Sequence, residues 1–187
     1  MNGSLTYFDY KELITNKEIF SNEFKIDQIQ PSSIDLSLSE ECYEIKNSFL
    51  SPKTKVRDKL EKLIQKKIDL KNKFVFKINK TYIIKLNEKL NLKNNIFGQC
   101  NPKSSTGRLD IFCRVIVDYA DEYEKIPLNY KGEIFLEVTS RSFDVALKKN
   151  NCLNQLRLVN KKHNHLNDRQ LINLNKKQKI SNQSKDK

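Results

Sequence analysis

Apolar and polar residues alternate at two different periods along this chain. At 29–39, IQPSSIDLSLS, Ile34, Leu36 and Leu38 recur at every second position, which places them on one face of a strand with Pro31 at its entrance. CYEIKNSFL, 42–50, reads as a second strand that partners it. Upstream, YKELITNKEIF at 10–20 predicts a short helix, with Asp9 placed to cap it. At 54–67, TKVRDKLEKLIQKK, the period changes. Val56, Leu60, Leu63 and Ile64 fall at i, i+4, i+7 and i+8, the stripe of an amphipathic helix that covers the domain. From 74 to 158 the chain becomes a series of short β runs: FVFKI, TYIIKL, NIFGQC, DIFCRVIVD, GEIFLEV, FDVALK and LNQLRLV. Turn residues separate them at roughly the 8–12-residue spacing of a sandwich or barrel. The acidic stretch YADEYEKIPLNYKG, 119–132, interrupts the runs as a long loop, and NDRQLINLNKKQK predicts a last helix capped at Asn167 or Asp168. The pattern is that of a mainly β domain with two or three helices.

Composition changes this picture in three places. Hydrophobic residues make up only 37% of the 187, yet the patterned runs are long enough to build one core, assigned to 1–160, with a basic polar tail at 161–187 that is partly disordered. No apolar run approaches the ~18 residues of a membrane span, so no membrane association is expected. The opening MNGSLTYFDY lacks a basic region followed by an apolar core, and the chain is read as cytoplasmic. The four cysteines, Cys42, Cys100, Cys113 and Cys152, are scattered without a CxxC pair and read as reduced and inert. Of the net charge of +12, residues 148–187 carry +9, from 11 Lys/Arg against 2 Asp/Glu. The charge is therefore mostly that of a solvated tail, and nucleic-acid binding is the lesser reading.

Two stretches carry candidate chemistry. NPKSSTGRLDIF, 101–112, sets Lys103 and Arg108 around the hydroxyls of Ser104, Ser105 and Thr106, with Gly107 to let backbone N–H groups turn inward. Such a loop can surround a polyphosphate, or it can be a surface turn; it is not a Walker loop, because GxxxxGK[ST] is absent. In GEIFLEV, 132–138, Glu137 either lies on a solvated face or enters a cleft beside Phe135. There, desolvation would favour the proton-bearing form used in proton transfer. The H-x-E and P-C-x-x-C ligand set of zinc nucleobase deaminases is missing, so no zinc and no protein-held metal is expected. His163 and His165, the only histidines, sit in the basic tail and read as surface residues rather than members of a catalytic triad.

QPSSIDLSL (30–38), NPKSSTGRLDIF, YKGEIFLEV (130–138) and LNQLRL (153–158) occur in the order of the motifs of the dCTP deaminase and dUTPase superfamily. The chain most resembles the N-terminal half of two-repeat bacterial dCTP deaminases, over most of its length. The resemblance implies a dUTPase-like distorted jelly-roll or β-clip barrel with short peripheral helices. It implies that Lys103, Ser104, Ser105, Thr106, Gly107 and Arg108 form the triphosphate loop, with Ser104 and Arg108 also near the reacting centre. Glu137 matches the catalytic glutamate, Phe135 and Leu136 its pocket-lining neighbours, and Gln155 a motif bordering the nucleotide. It further implies Mg²⁺ accompanying the triphosphate, no metal-activated water, and dCTP as the bound nucleotide. The assembly implied is a homotrimer or a complex with a separate second repeat.

Two features depart from the family pattern. Where short members carry a sugar-contacting Asp in an I-D-P-G-[WY]-x-G turn, this chain reads IPLNYKG, with Pro127 in that place and Asp118 as the candidate substitute. The second repeat and the closing aromatic tail are also missing. The expected reaction is hydrolysis of dCTP to dUTP and ammonia. The alternatives are a dUTP pyrophosphatase and a non-catalytic half that binds nucleotide and needs a partner repeat.

Overall fold

One 13-residue strand, β3 (Ser33–Ile45), organises the molecule. The computed structural model describes residues 3–160 and 166–178. In it the first half of β3 pairs antiparallel with β12 (Cys152–Asn160), Ile34 opposite Leu156. Its second half pairs with β6 (Thr81–Asn91) on one side and with β4 (Ile64–Asp69) on the other, across a register shift between Leu38 and Cys42. CYEIKNSFL is therefore not a separate partner strand: Cys42–Ile45 continues β3. An unbroken strand can serve both halves of the sheet because the register shift turns its far end toward new neighbours.

The sheet runs β8 (Ile111–Val117), β10 (Lys131–Ser140), β6, β3, β12, β7 (Ile96–Pro102) and β9 (Lys125–Ile126). Glu124 then bridges the two ends. Its N–H donates to Val115 O at 3.0 Å and its carbonyl accepts from Cys100 N–H at 2.7 Å, which joins β8 to β7 and closes the barrel. The expected long loop at 119–132 thus contains a short strand, because its backbone finds a partner in the β7 edge. β1 (Ile19–Phe20) and β2 (Ile29–Gln30) add to β6 and β3, and β5 (Phe74–Phe76) pairs with β11 (Val145–Leu147) in a small separate sheet. The mainly β, dUTPase-like barrel with peripheral helices is what the resemblance implies.

Helices occupy the periphery. α1 (Tyr7–Thr15) begins earlier than its periodicity suggests: Thr6 is the cap, and Asp9, inside the first turn, accepts from Thr6 N–H at 2.7 Å and from its hydroxyl at 2.8 Å. The helix expected at 54–67 is only α2 (Val56–Leu60). Val56 and Leu60 do bury on one face, but from Ile64 the β3 edge offers a ladder, Ile64 opposite Ile45, and the strand wins. α3 (Ser104–Arg108) is a single turn. α4 (Asp168–Gln178) is capped by Asn167, whose Oδ1 accepts from Gln170 N–H at 2.9 Å; none of its residues is buried. No described helix is long and apolar enough to cross a membrane. Residues 161–165 and 179–187, with His163 and His165, lie outside the described residues, so the partly disordered tail concerns them only as an expectation.

The two faces of β10 explain where the site sits. Ile134, Leu136 and Val138 point into the barrel core among Leu36, Leu38, Ile84 and Leu156. Phe135 faces outward into a second cluster with Ile45, Phe49, Val56, Leu60, Ile83 and Ile116, roofed by α2. Alternation of period two then puts Glu137 on that same outer face.

Candidate functional site

The 101–108 loop starts where β7 ends. Lys103 N–H donates to Leu153 O at 2.9 Å, and the Thr106 hydroxyl donates to the same carbonyl at 3.0 Å. Thr106 is buried, and its hydroxyl anchors the turn to β12. The N–H groups of Thr106 and Gly107 both return to Lys103 O, at 2.9 and 3.1 Å, so they close the helical turn instead of facing outward. Gly107 has no heavy atom within 4 Å of where a Cβ would stand. Ser104, Ser105 and Arg108 are exposed. Lys103 is ion-paired with Asp35, whose side chain is only 9% exposed. Asp35 stands opposite Gln155 in the β3–β12 ladder, and the Ser33 hydroxyl donates to Gln155 Oε1 at 3.3 Å. Lys103 and Gln155 are thus brought to one patch, together with Asp35, a residue to which the motif QPSSIDLSL assigns no role.

Glu137 lies elsewhere. Its side chain is 5% exposed, directly opposite Arg114 in the β10–β8 ladder. Arg114 donates to Glu137 Oε1 through Nε at 3.1 Å and Nη2 at 2.5 Å, while Glu137 Oε2 is buried with no partner. The Arg114 guanidinium also lies 3.8 Å from the centroid of the Tyr123 ring. Phe135 packs beside Glu137 on the outer face, whereas Leu136 points into the core. Asp118 caps the start of α2, its Oδ1 accepting from Val56 N–H at 2.7 Å. Among the described residues no hydrogen bond or ion pair joins Ser104 or Arg108 to Glu137. A cavity of about 320 Å³ lies beside the loop, lined by Pro102, Gly107 and Asp110 and by Cys113, Arg114 and Glu124, but not by Glu137.

Sequence reasoning missed Arg114, Tyr123 and Glu124. A lone cation inside the apolar run DIFCRVIVD was the available signal for Arg114. Burial pushes the Glu124 carboxyl up to about 7, against hydrogen bonds from Val115 N–H and Asn154 and the charge of Arg114. The four cysteines are free, and burial pushes the thiols up, Cys113 to about 12, which disfavours the reactive thiolate.

The antiparallel barrel, with a short hydroxyl-rich turn at its rim and a buried strand carboxylate, has a dUTPase-like fold. A family model described as 2'-deoxycytidine 5'-triphosphate deaminase (DCD) N-terminal domain matches residues 1–162, and the chain belongs to that family, a class of enzymes. It is 26% identical over 167 residues to "dCTP deaminase, dUMP-forming" of Methanocaldococcus jannaschii, covering 79% of this chain and 78% of that protein. It is 28% identical over 141 residues to the protein of the same name from Coprothermobacter proteolyticus, covering 73% and 71%. The crystal structure of 2'-deoxycytidine 5'-triphosphate deaminase from Agrobacterium tumefaciens superposes with a TM-score of 0.89 at 35% identity, covering 94% of this chain and 54% of that one. The chain therefore spans about half the length of that solved protein.

Proposed function

We propose that this protein catalyses the hydrolytic deamination of dCTP, water and dCTP giving dUTP and ammonia, with Glu137 as the proton carrier. The observation that carries the reading is the asymmetry of the Glu137 carboxylate. Oε1 is held by Arg114 and Oε2 is buried without a partner. An unpartnered buried acceptor on a fixed carboxylate is what a general base for water requires. Water attacks cytosine C4 as Glu137 Oε2 takes its proton. Glu137 then delivers that proton to N3, and the proton of the new C4 hydroxyl passes by way of Glu137 to the exocyclic amine as the C4–N bond breaks, leaving the C4 carbonyl and ammonia. Arg114 keeps Glu137 oriented throughout. Lys103, Ser104, Ser105 and Arg108 hold the triphosphate, Gln155 borders the nucleotide, and Asp118 is the candidate for the sugar contact. Mg²⁺ would accompany the triphosphate and screen its charge; the loop offers hydroxyls and cations, and of the carboxylates beside it Asp35 is held by Lys103 and Asp110 accepts from the Ser142 hydroxyl.

Arg108 and Ser104 are exposed and unbonded to Glu137, so the reading requires that the loop of one copy meet Glu137 of another, in a homotrimer or with a separate second repeat. Leu109 and Phe112 beside the loop, 51% and 61% exposed, are the apolar surface such a contact would cover. The dUMP-forming name of both sequence relatives favours a second reading, in which dUTP is hydrolysed further. Against it, Pro127 stands where the acid of the family's sugar-contacting turn would be. Incubation with dCTP and Mg²⁺ followed by chromatography separates the readings: dUTP with ammonia supports the first, dUMP with pyrophosphate the second. Absence of ammonia would remove both.

A further inference from the structure

Glu137 serves cytosine C4 only if the base reaches it, and the connection between β3 and β4 stands in the way. In the sheet Glu137 has Arg114 on one side and Ile83 on the other, and Phe135, on the same face, has Ile116 and Lys85. Ile83, Ile116 and Phe135 are wholly buried. Their cover is the β3–β4 connection, which folds back over the outer face of β10 and seats Phe49, Val56 and Leu60 on that apolar floor. The Arg57 guanidinium lies 5.5 Å from the centroid of the Phe135 ring. The connection is built as one unit. Lys46 N–H donates to Leu63 O at 3.1 Å, so its ends meet and 47–62 form an Ω-shaped loop. Inside the loop the Ser51 hydroxyl donates to Thr54 O at 2.9 Å, and Lys59 Nζ to Leu50 O at 2.7 Å. What fastens it to the sheet is mostly side chains: Arg57 to Glu133 and Glu41, Asp118 to Val56 N–H, and the Tyr123 hydroxyl to Phe49 O at 3.3 Å. The Tyr119 N–H bond to Thr54 O, 3.3 Å, adds one backbone link where a paired strand would have a ladder.

We propose that this loop is a lid: seated, it shuts nucleotide out from Glu137, and it swings about the 46–63 stem to admit the base onto Ile83, Ile116 and Phe135. The proposal rests on the reading of Glu137 as the proton carrier. The stem lies at the irregular end of the β3–β4 ladder, where the register shifts between Glu44 and Ile45, so a pivot there leaves the paired strands intact. The burial of Glu137 then has a use beyond fixing its partner. Water and solutes are kept from Oε2 until the lid lifts, and Arg114, anchored in β8, stays with the carboxylate when it does. A seated lid and a bound nucleotide exclude each other, so the two equilibria are linked. Whatever loosens the lid tightens dCTP binding by the factor that it adds to the open fraction.

The test reads lid opening with a thiol reagent on the full chain. Val56→Cys puts a thiol on the buried face of the lid with little change in volume, and Cys100, wholly buried in the barrel, reports global opening in the same sample. Leu60→Cys serves the same purpose if the first variant does not fold. Without nucleotide the introduced thiol should react at least about 100-fold faster than Cys100, because a local opening is far more frequent than global unfolding. Arg57→Met leaves Lys85 and Lys89 beside Glu133, and should speed the introduced thiol about tenfold, the scale of one charge-assisted hydrogen bond, with the Cys100 rate unchanged. Calorimetry should find the dCTP Kd lowered by the same factor. Tyr123→Phe loses the bond to Phe49 O and should move rate and Kd together by roughly a few-fold. An introduced thiol no faster than Cys100, or a faster thiol with unchanged dCTP affinity in both variants, overturns the proposal. If no chain binds dCTP, the lid and the deaminase reading fall together; binding without ammonia release removes the deaminase reading alone.

Discussion

Glu137 and Arg114 face each other across one rung of a ladder, and their unequal exposure, 5% against 37%, decides what each substitution costs. Removing the guanidinium leaves a buried carboxylate unpaired. Arg114→Ala should therefore lower stability by about 3–5 kcal/mol, read by denaturant unfolding, and adding Glu137→Gln should recover part of the loss. A loss under about 1 kcal/mol would mean that water reaches Glu137 freely. Arg108 lies at the opposite extreme, exposed and unbonded in the single chain, so its substitution should spare the fold. Arg108→Lys should nevertheless reduce turnover, because an ammonium cannot make the two parallel hydrogen bonds of a guanidinium. Wild-type turnover and dCTP affinity in that variant would remove Arg108 from the site. Glu137 and the loop were picked out by motif order, and the burial of Glu137 on the face of Phe135 is one of the two placements that alternation left open. The pairing of Arg114 with Glu137 and the place of Asp35 beside Gln155 were not legible, because both arise from cross-strand register, which no local pattern encodes.

The elements carry their own tests. Gly98 on β7 is required by close approach: a Cβ there would lie 2.7 Å from Leu156 Cδ1, 3.0 Å from Leu158 Cδ2 and 3.1 Å from Ile126 Cβ. Gly98→Ala should cost about 1–3 kcal/mol where β7, β12 and β9 meet, measurable as a lower unfolding midpoint. On the outer face, Arg57 ties α2 to the sheet through Glu133 at 2.5 Å and Glu41 at 2.8 and 3.1 Å. Burial alone would raise the Glu133 carboxyl, but the hydrogen bond and charge of Arg57, with Lys85 and Lys89, bring it down to about 2. Its folded-state value lies below the ordinary 4.5, so its stabilisation is complete above that range and is lost as pH falls toward 2. Unfolding free energy should decline over that window in the wild type and decline less in Arg57→Met; parallel curves would contradict the role given to Arg57. The same region shows why the helix at 54–67 was read too long. Val56 and Leu60 fit either outcome, and only the β3 edge, distant in sequence, decides for a strand after Leu63.

At the scale of the whole molecule, the closed barrel separates what the reaction needs into two places, the loop at the β7 end and the carboxylate on the outer face of β10. The mainly β class was legible because short runs separated by turns point to a sandwich or a barrel, and the resemblance chose the barrel. The separation was not, since motif order says nothing about distance. Activity should therefore appear only in an assembly. Light scattering at assay concentration should report a homotrimer, or a complex with a second repeat, and full turnover by a monomer would contradict that. The central claim, that this chain deaminates dCTP through Glu137, is tested most directly by measuring ammonia release and calorimetric dCTP binding on the same preparations of wild type and Glu137→Gln. Gln preserves the shape of the strand but cannot take a proton from water. The wild type should release one ammonia per dUTP formed, and the variant should bind dCTP while its turnover falls by about 10³-fold or more, near the upper end of general acid–base contributions. Turnover in the variant within a few-fold of wild type would take Glu137 out of the mechanism.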